Sequence, residues 1–192
     1  MNTQFNNSAN LSVELSASEL DTNLLFEDFN DDPSFKAELQ AATVLLIPSD
    51  LKPEYEGPVF PASTREIFRI LSEELKGRAV VNSPIKDEDY VEFEYRSEDI
   101  LLPVLFIGKL ILLPLVISVL GTFLHDRLKK PNIEKSDNTV KSEIHFVHSN
   151  GTQLHFKYDG PADTFERTAM EHFENLGLTV SGGESTSCKK RN

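Results

Sequence analysis

Apolar positions along most of this chain come in short clusters separated by polar residues, but one segment has no period at all. Ile100 to Leu124, ILLPVLFIGKLILLPLVISVLGTFL, carries a single charge, Lys109. Trimmed to Phe106–Leu124, the run is about long enough, as a helix rising 1.5 Å per residue, to cross the ~30 Å hydrocarbon layer of a bilayer. Its Leu, Ile, Val and Phe residues, at about −0.5 kcal/mol each, supply about −6 kcal/mol toward insertion, against penalties for Lys109 and for Gly, Ser, Thr and Pro. Lys109 falls in the first turn, where its amine reaches the headgroups instead of the costly midplane. Leu115, Val116 and Leu124 lie in the apolar stretch. Pro114 is tolerated in a membrane span, and Gly121 with Ser118 or Thr122 offers small residues for close helix contact.

The run therefore predicts one membrane-spanning helix. Arg127, Lys129, Lys130, Lys135 and Lys141 follow it closely, against Lys86 and Arg96 before it, so the positive-inside rule puts the C-terminal part in the cytoplasm. That orientation sends a strongly acidic N-terminal half across the membrane with no cleavable signal, so an arrangement with both parts cytoplasmic stays open. The alternative is a buried core. Gly108-Lys109 then turns between two strands, Leu101–Ile107 and Leu110–Ile117, and both faces need a cover that the rest of the chain is short of apolar side chains to provide.

Elsewhere the pattern predicts an α+β chain in pieces. Residues 1–40 are rich in Asn, Ser and acid, with Leu20, Leu24, Leu25, Phe26 and Phe29 bunched together, and read as a disordered tail. Residues 41–99 read as a small α/β module: a buried strand at TVLLIP, a helix opened by Ser63 or Thr64 and stopped by Gly77, a strand near Ala79–Val81, and a half-exposed strand in YVEFEY. After the hydrophobic segment, 100–128, and a basic linker, 129–141, residues 142–177 read as a ββα unit. In its hairpin a three-residue loop, Ser149-Asn150-Gly151, pairs Ile144 with Phe156 and Phe146 with Leu154, which makes one face apolar. Gly160-Pro161 then starts a helix striped by Phe165, Ala169, Phe173 and Leu176. Residues 178–192 read as a flexible basic tail.

Charge sharpens this division. The 192 residues carry 31 acidic and 19 basic side chains, net −12, and the acidity lies before Ile100. Neutralising phosphates needs clustered Lys and Arg, and a sequence pI near 4.8 argues against that as the main work, so nucleic acid is not an expected partner. The single cysteine, Cys188, makes neither a disulfide framework nor a thiolate metal site. The hairpin register sets His145 opposite His155, with Glu143 nearby, as the one metal-like constellation. An exposed polar face explains the same residues, and no metal is expected. The acidic triplet Asp87-Glu88-Asp89 reads as a solvated turn. No phosphate-binding glycine loop, HExxH, CxxC or GxSxG is present, so no catalytic residue and no cofactor are assigned.

In layout, LPLVISVLGTFLHDRLKK followed by a His- and Phe-bearing hairpin ending in YDGP resembles small bacterial membrane proteins with one hydrophobic segment and a cytosolic hairpin-helix unit. The resemblance covers Leu113 to Gly160 and implies no activity or residue roles. The sequence thus predicts a membrane-anchored, non-catalytic interaction or effector protein, for instance a bacterial defence or stress component acting by assembly at the membrane. Its partners are the bilayer and a protein, or a second copy, docked on the ββα unit. The alternative is a soluble α/β enzyme or ligand-binding protein with residues 100–124 as its core.

Overall fold

A computed structural model describes residues 11–27, 29, 31–49, 58–93, 99–129 and 139–175. The fold is mixed α+β. Strands β1 (Ser12–Ala17), β2 (Val44–Ile47), β4 (Val81–Asn82), β6 (Ile100–Leu101), β7 (Val104–Ile107), β8 (Thr139–Val147) and β9 (Gln153–Pro161) form a mixed sheet in the order β1-β9-β8-β7-β2-β4, with β6 also pairing β8. A separate parallel pair joins β3 (Phe60–Pro61) to β5 (Glu92–Phe93). The helices are α1 (Thr22–Glu27), α2 (Pro33–Ala41), α3 (Thr64–Glu74), α4 (Leu113–Leu128) and α5 (Phe165–Asn175).

The hydrophobic run is not one helix. Ile100–Leu101 and Val104–Ile107 lie along β8 in parallel, interrupted at Pro103, which has no N–H to give the ladder. Phe106 is therefore a strand residue, and Lys109 sits in the turn between β7 and a short 3-10 turn, Leu110–Leu112. Pro114 occupies the first turn of α4, where its missing N–H costs nothing, so it starts the helix instead of kinking it. Parallel strands need a crossover, and α4 is the helix of the β7-α4-β8 connection. Together with the 3-10 turn, Leu110–Leu128 is long and apolar enough to cross a membrane, and half of its most apolar window is buried in the fold.

One face of the sheet carries Val44, Leu46, Leu105, Ile107, Ile144, Phe146, Phe156 and Tyr158, all fully buried against α3, α4 and α5. From α4 come Leu113, Val116, Ile117, Val119, Leu120, Phe123 and Leu124, all buried, whereas Leu115 is only partly so. Gly121 faces α5 so closely that an added methyl would lie 2.8 Å from Glu166 Cβ. The described cations that follow the run have partners within the fold. Arg127 donates to the Ser63 hydroxyl, Lys129 lies 3.9 Å from Asp126, and Lys141 pairs with Asp99 and Asp159. Lys130 and Lys135 lie outside the described residues, as do Leu176, Gly177 and Cys188.

The other face is covered by the segment read as a disordered tail, and that reading is corrected for the described residues between 11 and 40. Strand β1 adds antiparallel to β9 with Val13 and Leu15 turned to the main core. Leu20, Leu25, Phe26, Phe29, Phe35 and Leu39 then cover Leu45, Ile47, Phe106 and Val104. Asp32 caps α2 by accepting from the Phe35 N–H at 3.1 Å and is held by Lys86 at 2.8 Å. The 41–99 region and the C-terminal hairpin also share this one sheet, since β7 bridges β2 to β8.

The hairpin has the register that the three-residue loop requires. Gly151 takes φ 85°, the His148 N–H donates to Thr152 O at 2.8 Å, and Ile144 faces Phe156. On the far side α3 spans Thr64 to Glu74 and ends before Gly77, whose φ is 79°.

Candidate functional site

Two places concentrate chemistry. The first is a row of side chains across the second face of the sheet, fixed by strand registers: Leu45, Phe106, His145, His155 and Ser16 lie side by side on β2, β7, β8, β9 and β1. The imidazoles of His145 and His155 stack with centroids 4.2 Å apart and planes 6° apart. Ser18 Oγ, at the end of β1, lies 2.8 Å from His145 Nδ1 and also accepts the Leu20 N–H at 3.2 Å. Glu143 stands two residues before His145 on the same face. Its Oε1 is 3.2 Å from Lys157 Nζ, and its Oε2 is 3.4 Å from His155 Nε2, misaligned for a hydrogen bond. Burial, with the neighbouring His155, pushes the His145 imidazole down to about 4, so it is neutral at pH 7. The structure thus brings together the three residues singled out from the hairpin register, with one ligand atom of each within 4.8 Å of the others.

The second place is a cavity of about 490 Å³ where β2 and β4, which are parallel, end beside the first turn of α3. Leu46 comes from β2, Thr64, Arg65 and Phe68 from α3, Asn82 from β4, and Ser83, Ile85, Asp87 and Tyr90 from the segment after it. A β2-α3-β4 crossover necessarily brings a helix N-terminus and two strand ends together, which is where open α/β sheets bind ligands. Here the free N–H of Arg65 is met by Glu92 Oε1 at 2.8 Å, and the same oxygen accepts the Tyr90 hydroxyl at 2.6 Å. That carboxylate already answers the helix dipole. The Arg65 guanidinium rests 4.8 Å over the Tyr90 ring, which itself stacks on Phe60 at 5.0 Å. Burial, reinforced by Glu92, raises the Tyr90 hydroxyl above its ordinary range and keeps it protonated. Ser83 Oγ is shut off from water and has no hydrogen-bond partner among the described residues.

The sequence named some of these residues, Thr64 as a helix cap and Asp87 in the acidic triplet, but did not bring them together as a site. The usable signal was the order strand, helix, strand with a polar pair, Asn82-Ser83, at the end of the second strand. Compared with models of known protein families, with curated proteins and with solved structures, the chain matches none. The acidic triplet Asp87–Asp89 forms an exposed 3-10 turn whose first residue reaches the cavity rim.

Proposed function

We propose that this chain is a small-molecule-binding protein that works unanchored, with the hydrophobic run as its core and the β2-α3-β4 cavity as its site. The observation that carries the reading is the cavity itself: a ligand-sized space floored by apolar Leu46, Phe68 and Ile85, with Asn82, Ser83 and Arg65 converging on it. An apolar floor with a few polar groups suits a compact organic molecule having a flat apolar body and one hydrogen-bonding or singly anionic head. The head takes Asn82, and Arg65 closes over it.

What supports the core role of α4 is the set of partners it covers. Lipid would accept the helix, but its departure would uncover residues such as Leu105, Ile107, Ile144, Phe146 and Phe173. At about 2 kcal/mol each that exposure costs about 10 kcal/mol, more than the ~6 kcal/mol that insertion offers. The outward positions Thr122, His125 and Asp126 are exposed and polar. A second reading, a single-span protein, is favoured by the length and apolarity of Leu110–Leu128 alone.

The chain has no tryptophan, so Phe68→Trp places a sole reporter against the cavity. Titrating that variant with a library of small aromatic and aliphatic carboxylates and amides should reveal compounds that shift its emission and raise the thermal midpoint of the unmodified chain. Filling the space with Ser83→Leu should abolish both effects. A library with no such compound, or one whose hits bind the filled variant equally well, contradicts the reading.

A further inference from the structure

The geometry points to a second site on the opposite face of the sheet: Glu143, His145 and His155 bind one divalent first-row transition-metal ion, Zn2+ being the simplest case. Two imidazoles and one carboxylate are a donor set of nitrogen and oxygen ligands that leaves a fourth position for water or another ligand. The sheet supplies the placement. His145 and His155 are directly opposed on β8 and β9, and Glu143 is two residues along β8 on the same face.

Three details favour an ion over a solvated polar face. His155 Nε2 is inaccessible to water and has no hydrogen-bond partner among the described residues, a desolvation cost that coordination removes. Glu143 is divided in use, with Lys157 beside Oε1 and the other oxygen turned to that same nitrogen. Ser18 Oγ engages His145 Nδ1, the outer hydrogen bond that orients a ligating imidazole and leaves Nε2 for the ion. The row continues into Phe106 and Leu45, so the site has an apolar flank.

Some adjustment is required. A tetrahedral ion with bonds of about 2.0–2.1 Å needs donors about 3.4 Å apart, whereas the present ones are spread over up to 4.8 Å. Stacked rings also cannot both aim a lone pair at one point. Tilting one imidazole about its soft χ2 torsion closes both gaps. The ion therefore breaks the His145–His155 stack, which is itself an observable.

The test is a calorimetric titration of the metal-free full-length chain with Zn2+, accompanied by imidazole-resolved NMR and by Co2+ as an absorbing probe. One ion per chain is expected, with a four-coordinate Co2+ spectrum and ring resonances of His145 and His155 shifting together. His155→Asn and Glu143→Gln should each weaken binding, the first by at least about 100-fold, and Ser18→Ala by about 10-fold. Cys188→Ser and His125→Ala should leave it unchanged. Circular dichroism of each variant reports folding, and the wild-type ring shifts need no variant at all. Absence of stoichiometric binding, binding that survives His155→Asn, or binding lost with Cys188→Ser overturns the assignment. Failure here leaves the cavity proposal standing, because the two sites share no residue.

Discussion

Asp99 shows how single side chains tie distant parts of this chain. Its carboxylate accepts from Thr139 Oγ1 at 2.6 Å and pairs with Lys141 at 3.2 Å, pinning the start of β6 to the start of β8. The Thr139 hydrogen bond, then Lys141, hold its carboxyl below the ordinary value of 3.8. A depressed carboxylate binds fewer protons in the folded than in the unfolded chain, so its contribution is complete above the unfolded value and lost as pH falls through the folded one. Asp99→Asn should therefore lower stability by about 1 kcal/mol at pH 7, and the deficit should vanish in acid below pH 3.8. Thermal unfolding of both proteins across that range checks it. A deficit that persists unchanged into acid counts against the ion pair. At this scale the sequence was informative where a local rule has one solution. Moving the hairpin loop by one residue would mix its two faces, so the His145–His155 juxtaposition was legible. Ser18 was not, because the contact spans 127 positions of chain and depends on β1 joining β9.

Elements explain why the bounds of the hydrophobic helix were misplaced. A strand covered on both faces shows no alternation, and β7 is such a strand, with Leu105 and Ile107 on one core and Phe106 on the other. It runs almost directly into α4, a helix with seven of its 16 residues buried. The two together read as one unbroken apolar segment, although Pro103, Gly108 and Pro114 already marked the strand break, the turn and the helix start. The missing cover was in plain view as the cluster from Leu20 to Phe29, whose acidic setting suggested disorder. Close packing of α4 on α5 gives this level its own prediction. Gly121→Val puts branched carbon against the base of Glu166, close to backbone, where flexibility cannot relieve it. The expected cost is about 1–3 kcal/mol, read as a lower midpoint in chemical denaturation. In a span solvated by lipid, where no α5 contact exists, the same substitution would be nearly neutral in the soluble part.

For the whole molecule, the sheet with helices on both faces makes one body out of pieces that composition had separated. The acidic half contributes β1, β2, β4 and the helices over the second face. The hydrophobic run contributes β7 and α4, and the remainder contributes the hairpin and α5. That joint core leaves the cavity at one sheet end and the histidine row on the second face. Both proposals presuppose that α4 stays in the fold, and cell fractionation tests this most directly. Expressed without detergent and spun at high speed, the full-length chain should remain in the supernatant and run as one homogeneous species. Recovery in the membrane pellet, resistant to carbonate washing and released only by detergent, would contradict it.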